Sequence, residues 1–214
     1  MRIEDVLHRP LAELLEEMQQ ALMTGTTYRG VPTWKLPLDA WIYQEIVCET
    51  RPDVIVEIGN KYGGTLLYLA DLCEALGHGR VIGVDRTHRK IAPSVREHPR
   101  VVLLEGDGCG KYAEVRGLIG GGERVLMIED SAHDYRNTLA VLRAYACLQT
   151  VGDYFIVEDT IVESGLQRDW VATLGGPLGA TLEFLWENPA YEVDRSRERF
   201  VLTWNPRGYL RRVA

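Results

Sequence analysis

The sequence predicts an α/β fold: a doubly wound, mostly parallel sheet of the Rossmann-like kind, with antiparallel strands near the C-terminus. Two observations predict it. Between residues 54 and 157, short apolar runs alternate with helical patterns, as in chains that build a parallel sheet covered by helices on both faces. After residue 190, two apolar runs at 191–194 and 200–204 follow each other without a helical pattern between them, which predicts antiparallel pairing.

The N-terminal part predicts two helices joined by a loop. Apolar residues recur every three or four positions over 4–23, the spacing of an amphipathic helix. Residues 24–37 are rich in Gly, Pro and Thr and predict a loop. A second helix is expected over 38–50, and it should end there because the residue before Pro52 disfavours helical geometry.

Buried strands are expected through the rest of the chain, most of them ending in a glycine or an acidic residue. Their apolar runs are too short for helices and too apolar for surface strands. Helical patterns at 65–76 and 138–148 lie among them. The predicted strands are 54–58, 80–84, 101–104, 124–128 and 154–157.

Length and composition predict one domain without a nucleic-acid or membrane partner. We expect a single unit over 1–214, with N-terminal helices and a lid-like loop in 1–50 and the binding core in 51–214. The net charge of -7 disfavours nucleic acid, whose phosphates require clustered basic residues. No apolar run approaches the roughly 20 residues of a membrane span, and no signal peptide is visible. The 4 cysteines form no CxxC pair, so a reducing cytoplasm is the expected location.

The segment after the first strand is the first candidate binding site. Ligands of open α/β sheets bind at the carboxyl ends of the strands, and a glycine-rich turn allows the backbone to approach a ligand closely. The glycine spacing is not the dinucleotide fingerprint. An acid beside the turn suits the cationic S-adenosylmethionine better than a pyrophosphate, although a tight turn without a ligand is the alternative. The candidate cofactor-binding residues here are Glu57, Gly59, Asn60, Gly63, Gly64 and Thr65.

Acids at the ends of later strands extend this candidate cofactor site. Asp85 follows the second strand, where an acid can accept both hydroxyls of a ribose. Asp107 and Gly108 follow the third strand and are placed to meet an adenine edge, with a helix N-cap as the alternative role for Asp107. Asp130, after the fourth strand, completes the candidate cofactor-binding set.

A second constellation of acids predicts a metal site. Asp130, Glu158 and Asp159 end two strands that should be neighbours, and three carboxylates at one edge would repel each other unless a cation joined them. Oxygen ligands suit a hard ion such as Mg²⁺ or Ca²⁺. The alternative is that these acids cap helices or stay solvated. His133, three residues after Asp130, is the candidate general base, because a histidine can accept a proton near neutral pH.

Five segments of the chain resemble one known family. It contains cephalosporin hydroxylase-like proteins and the rhamnosyl and macrolide-sugar O-methyltransferases. The pair MIEDSAH and IVEDT, at this separation, is the more specific part of the resemblance, and the glycine loop alone would not identify the family. The segments are YRGVPTWKLPLDAWIYQEIV, EIGNKYGG, MIEDSAHDY, FIVEDT and WNPRGYLRR.

The resemblance implies a class I methyltransferase fold with S-adenosylmethionine at the first three strand ends. It also implies Mg²⁺ on Asp130, Glu158 and Asp159, with His133 as the base toward a substrate hydroxyl. The chain departs from the usual methyltransferase pattern at Asn60 and Lys61, where smaller residues are common. We therefore expect the end of the donor to be held differently.

We therefore interpret the chain as an S-adenosylmethionine-dependent, Mg²⁺-dependent O-methyltransferase. The acceptor would be a hydroxyl of a small molecule, a sugar or a natural-product intermediate, in a biosynthetic pathway such as that of an antibiotic. The alternatives are an S-adenosylmethionine-binding protein that catalyses a rearrangement or assists a hydroxylase, and a catechol-type O-methyltransferase. A nicotinamide-dependent oxidoreductase is disfavoured by the loop spacing. The resemblance implies a homo-oligomer, and acceptor contacts are expected at Tyr28, Trp34 and Lys35.

Overall fold

The computed structural model describes residues 2–164 and 175–214, and its centre is a seven-stranded sheet. The strand order is β5-β4-β3-β6-β7-β9-β8. The five strands from β3 to β7 are parallel, while β9 is antiparallel to both β7 and β8. The strands are β3 (Val54–Ile58), β4 (Arg80–Asp85), β5 (Val101–Glu105), β6 (Val125–Glu129), β7 (Tyr154–Val157), β8 (Tyr191–Val193) and β9 (Tyr209–Arg212), with a small separate hairpin of β1 (Thr27–Tyr28) and β2 (Val31–Pro32).

Helices lie along the chain between these strands and before them. Two apolar clusters form the core, one on each face of the sheet. β3 and β6, at its centre, are buried at every residue. Among the described residues, no helix is long and apolar enough to cross a membrane. The helices are α1 (Leu11–Gly25), α2 (Pro37–Thr50), α3 (Gly64–Ala75), α4 (Pro93–Arg96), α5 (Tyr112–Gly117), α6 (Tyr135–Tyr145) and α7 (Pro177–Glu187).

The predicted doubly wound sheet with antiparallel C-terminal strands is confirmed. Two predicted elements of the chain, one strand and one helix, are wrong. Residues 200–204 form no strand, and the last strand is Tyr209–Arg212. Phe200 and Val201 are exposed there, because this segment is fixed by polar contacts to α2 and not by a sheet ladder. The first predicted helix is divided as well, since α1 begins only after Pro10, which disfavours helix in the residue before it.

The register of the parallel strands brings their carboxyl ends to one edge. Ile58 pairs with Val84 on one side and with Glu129 on the other, and Glu129 pairs with Val157. The loops that follow these strands therefore start at the same level of the sheet. This alignment places the candidate residues of separate sequence segments next to each other.

A buried aspartate joins the N-terminal part to the C-terminal part beside this edge. Asp39 of α2 is 3% exposed and accepts hydrogen bonds from the Thr203 hydroxyl (2.6 Å), the Trp204 backbone N–H (2.9 Å) and the Tyr209 hydroxyl (2.8 Å). A buried carboxylate is stable only when its oxygens are paired in this way. Asp39 thus holds residues 203–209 against α2.

We predict a pH-dependent loss of stability in Glu123→Gln. Both carboxylate oxygens of Glu123 accept from the Arg80 guanidinium at 2.8 Å, and Gly120 donates its N–H. The Arg80 hydrogen bonds and that of Gly120 lower the Glu123 pKa from 4.5 to about 2. A lowered pKa stabilises the folded state above the unfolded-state value, and the contribution disappears as the pH falls from 4.5 towards 2.

Urea unfolding at pH 7 should therefore show Glu123→Gln less stable by about 0.5–1 kcal/mol, the range for a partly exposed ion pair. The difference in the free energy of unfolding between the variant and the unmodified protein should narrow below about pH 4.5, where protonation of Glu123 removes the same charge. Glu192→Gln, at an exposed position of β8, is the control. A gap that stays constant across this pH range would contradict the assignment.

Candidate active site

The turn after β3 packs so closely against neighbouring segments that a side chain would not fit at Gly59 or Gly64. Gly59 (φ +93°) and Gly63 (φ +84°) adopt left-handed geometry. A Cβ on Gly59 would lie 2.0 Å from the Asp130 carbonyl oxygen, and one on Gly64 would lie 1.9 Å from Thr33 Oγ1. The turn therefore contacts the end of β6 on one side and the N-terminal segment on the other. We call residues 57–65 the glycine loop.

Glu57 is a buried acid, and one of its carboxyl oxygens receives no hydrogen bond from the described residues. The side chain is 1% exposed, and Oε2 accepts from Asn60 Nδ2 at 3.2 Å. Oε1 is buried without a hydrogen-bond partner among the described residues. Burial raises the Glu57 pKa to about 8, although the Lys35 ammonium acts in the opposite direction. A cationic ligand group at this oxygen would satisfy it.

Asn60, the departure noted in the sequence, is a structural link in this loop. Its Nδ2 also donates to the Glu57 backbone carbonyl at 3.0 Å, and its Oδ1 lies 3.1 Å from His88 Nε2. His88 is buried, and this burial lowers its pKa. Asp85 accepts the backbone N–H groups of Asn60 (2.8 Å) and Lys61 (3.0 Å). The Asn60 side chain thus fixes the shape of the loop, whereas the exposed Lys61 contributes to it through its backbone N–H.

The remaining candidate cofactor residues lie around the same edge. Asp107 accepts the Gly110 N–H at 2.8 Å within the turn before α5, and the N-cap of that helix is Lys111 and not Asp107. Gly108 packs on Ile58, where a Cβ would lie 2.7 Å from Cγ2, and its carbonyl accepts the Tyr145 hydroxyl at 2.6 Å. Thr65 is buried in the first turn of α3.

The four candidate acids of the edge form two overlapping groups. Glu57, Asp130 and Glu158 offer carboxylate oxygens that lie within 4.8 Å of one another. Asp130, Asp159 and His133 form a second group within the same limit. The predicted metal trio is therefore divided between the groups, with Asp130 shared by both, because Glu158 and Asp159 are consecutive residues whose side chains point to different sides of Asp130.

Lys35 enters the first of these groups. Its side chain is only 5% exposed, and its ammonium donates to Asp130 Oδ2 at 2.6 Å and forms an ion pair with Glu158 Oε1. Burial opposes the charge, but Asp130, Glu158 and Glu57 outweigh it and hold the Lys35 pKa above its usual value. Lys35 was expected to contact the acceptor, and its pairing with the acids was not predicted, since a lysine between Trp34 and Leu36 has no local signature of such a role.

A polar network beneath the acids was also missed. The Tyr43 hydroxyl donates to Glu158 Oε1 at 2.7 Å and accepts from Asn205 Nδ2 at 3.2 Å. Asn205 Oδ1 accepts the Asp159 backbone N–H at 3.0 Å. One asparagine therefore supports both acids of the IVEDT segment. The only available signal was the WNPRGY segment itself, which the resemblance used without a role for Asn205.

His133 lies between two carboxylates. Its Nε2 is 3.3 Å from Asp159 Oδ2 and 3.7 Å from Asp130 Oδ1. Burial acts to lower its pKa, but the charges of Asp159 and Asp130 outweigh burial and raise it. His133 (φ +52°), Asp159 (φ +55°) and Lys61 (φ +50°) all have left-handed backbone geometry, which is uncommon outside glycine and tends to occur at functional sites.

Glu129, the last residue of β6, is a further buried acid below His133. Its oxygens accept from the Ser131 backbone N–H (3.1 Å) and from Asn137 Nδ2 (3.0 Å). Burial raises its pKa, which these hydrogen bonds partly oppose. Glu129 therefore anchors the turn that carries Asp130 and His133.

Comparison with known proteins shows to which family the chain belongs. The family model for Rhamnosyl O-methyltransferase/CmcI matches residues 20–213. The chain belongs to the rhamnosyl O-methyltransferase/CmcI family. A rhamnosyl O-methyltransferase of Mycobacterium bovis is 30% identical over 96% of this chain and 87% of its own length. That of Mycobacterium leprae is 28% identical over 97% and 94%.

Solved structures agree with this family assignment. A CmcI structure described as its Mg-SAM form matches with a TM-score of 0.69 and 27% identity, over 88% of this chain and 77% of that one. An O-methyltransferase from Bacillus cereus in complex with SAH shares the fold, with a TM-score of 0.58 and 19% identity over 89% and 86%. The predicted family, the class I methyltransferase fold and the enzyme class, an S-adenosylmethionine-dependent O-methyltransferase, are confirmed.

We predict that Gly59→Ala disrupts the site far more than Gly77→Ala. Both glycines have positive φ, but a Cβ on Gly77 would meet nothing within 4 Å, whereas one on Gly59 would overlap the Asp130 carbonyl. Thermal or urea unfolding should show a loss of about 1 kcal/mol for Gly77→Ala and about 3 kcal/mol or more for Gly59→Ala. Equal losses would mean that the contact between the loop and the end of β6 relaxes freely.

Proposed function

We propose that the enzyme transfers the methyl group of S-adenosylmethionine to a sugar hydroxyl, and that the reaction depends on Mg²⁺. The observation that carries the proposal is the contact between Gly59 and the Asp130 backbone. It joins the glycine loop directly to the turn with His133 and the acids. A methyl donor in the loop and an acceptor on the acids would therefore be neighbours, and holding two reactants in line can be worth roughly 7–11 kcal/mol.

The glycine loop fits the donor in two respects. Gly59 allows the loop to pack on the Asp130 backbone, so that a donor in the loop would lie beside the acids, and the buried Glu57 Oε1, which has no hydrogen-bond partner among the described residues, would gain one from a cationic group. S-adenosylmethionine has cationic groups and no phosphate. We therefore propose that Glu57, Gly59, Asn60, Gly63, Gly64 and Thr65 hold it, together with Asp85, Asp107, Gly108 and Asp130.

The acids fit a hard divalent ion by their chemistry. Asp130, Glu158 and Asp159 supply oxygen ligands, which Mg²⁺ prefers, and Tyr43 and Asn205 hold the last two in place. When bound, S-adenosylmethionine supplies the methyl group and Mg²⁺ lowers the pKa of a coordinated hydroxyl. His133 Nε2, which lies beside Asp130 and Asp159, would accept the proton of the acceptor hydroxyl. The charges of Asp159 and Asp130 beside the ring stabilise the resulting imidazolium.

Several finer features belong to the same proposal. The relatives are named rhamnosyl O-methyltransferases, which supports a sugar as the small-molecule acceptor. We further propose a single domain over 1–214 in which residues 1–50 contribute the helices and covering loop, a cytoplasmic location and a homo-oligomeric state. A role in antibiotic or other natural-product biosynthesis fits a sugar-modifying methyltransferase.

Calorimetric titration with S-adenosylmethionine, with and without Mg²⁺, is the first test of the proposal. Micromolar binding of the donor would support the cofactor site. Formation of S-adenosylhomocysteine with a panel of deoxysugar acceptors would then test transfer itself. Donor binding without any methylated product would favour the rearrangement or hydroxylase-assisting alternative, and preference for catechols would favour the catechol-type alternative.

We predict that His133→Ala retains donor binding but loses turnover. Removal of a general base lowers the rate by about 10²–10⁴-fold. The measurement is kcat for methyl transfer beside calorimetric affinity for S-adenosylmethionine. His98→Ala, which removes a histidine paired with Asp71 away from the site, is the control. Near-normal turnover of His133→Ala would exclude the histidine as the base.

We predict that Asp159→Ala raises the Mg²⁺ concentration needed for half-maximal activity by about 100-fold or more. Loss of a supporting group alone costs about 10–100-fold in metal affinity, so the loss of a direct ligand should reach at least the upper limit. Asp134→Ala is the matched control, because Asp134 caps α6 through the Asn137 N–H and is not one of the proposed ligands. An unchanged Mg²⁺ requirement in Asp159→Ala would remove this residue from the metal site.

A further inference from the structure

Lys35 occupies the two acids on which the proposed metal site most depends. Its ammonium contacts Asp130 Oδ2 and Glu158 Oε1 at once. Glu57 lies in the same group of carboxylates. Asp130 and Glu158 are two of the three proposed metal ligands. Both are therefore already paired with a positive charge of the protein itself, the Lys35 ammonium.

The segment around Lys35 directs its side chain to this position. Thr33 packs on Gly64 of the glycine loop, and its hydroxyl donates to the Val31 carbonyl at 3.0 Å. Leu36, on the other side of Lys35, is buried. The backbone on both sides of Lys35 is thus packed against the core. This packing directs the Lys35 side chain towards the acids.

We propose that Lys35 is the resident cation of the acidic site and that a divalent metal ion must displace its ammonium from Asp130 and Glu158. The proposal rests on the proposed function for the identity of the ligands. Lys35 keeps the carboxylates together when no metal is bound, because like charges this close repel strongly in a buried setting. The same contacts weaken the affinity for the metal, since an ammonium and a metal ion compete for the same oxygens.

The charges of the site favour exchange over simultaneous binding. Three acidic side chains, those of Glu57, Asp130 and Glu158, surround one lysine. A divalent ion offsets more of this negative charge than an ammonium does, and it binds oxygen ligands directly. Displacement would also free the Lys35 side chain from the core. Metal binding is thereby coupled to the segment 31–36, which packs on the glycine loop.

The competition predicts tighter metal binding when the lysine is removed. Lys35→Met keeps an unbranched side chain of similar length without the charge. Its dissociation constant for Mn²⁺, measured from the electron paramagnetic resonance signal of the free ion, should fall about tenfold or more, because a repelling charge and a competitor are lost together. Lys90→Met, which removes a lysine that lies over the Tyr62 ring, should leave the Mn²⁺ affinity within about twofold.

A second measurement uses the unmodified protein and does not depend on a folded variant. Lysine acylation followed by peptide mass spectrometry should find Lys35 protected without metal and modified several-fold faster at saturating Mg²⁺ or Mn²⁺. Lys90 is the internal reference, and its modification rate should not change. Protection of Lys35 that persists with bound metal would overturn the displacement.

The outcomes separate this inference from the proposed function. If the unmodified protein binds no metal but Lys35→Met does, the competition stands and the Mg²⁺ dependence is withdrawn. If both bind with equal affinity, or if Lys35→Met binds more weakly, the competition is overturned and the metal site stands. If neither binds, both are withdrawn.

Discussion

The structure of the active-site edge depends on the electrostatic problem of placing several carboxylates side by side. Parallel strands end at the same level, so an acid after each strand is brought towards the others. The buried Glu57 and Glu158 meet the partly buried Asp130 in this way. Their repulsion must be offset, and Lys35 supplies a positive charge from outside the sheet.

Lys35 joins the N-terminal segment directly to the acids at the edge of the sheet. Thr33 packs against Gly64, and α2 continues from this segment over the sheet. Tyr43 of α2 reaches Glu158, and Asp39 of the same helix fixes the chain near Asn205. The acidic site is thus supported by residues far away in sequence, which hold Glu158 and the backbone of Asp159 in the segment after β7.

Much of the fold could be predicted from the sequence, because strand and helix patterns and strand-end residues are local signals. The glycine loop and the acids at strand ends were found in this way. Asn205 and the ion pair of Lys35 could not be found, since their partners lie far away in the chain and a single asparagine or lysine has no periodic signature. The strand expected at 200–204 was wrong for the same reason: its apolar residues resembled a strand, while a distant aspartate decided its geometry.

The hydrogen bonds of residues 203–209 also define an order of assembly. A nascent chain emerges from the ribosome with its N-terminus first, and early segments can fold before later ones are made. The contact between Gly59 and Asp130 needs only the first two-thirds of the chain. Asp39 and the Asp159 backbone, in contrast, receive their partners from Thr203, Trp204, Asn205 and Tyr209. During translation, the glycine loop can therefore form early, whereas the acidic site gains these supports only after residues 203–209 have been made.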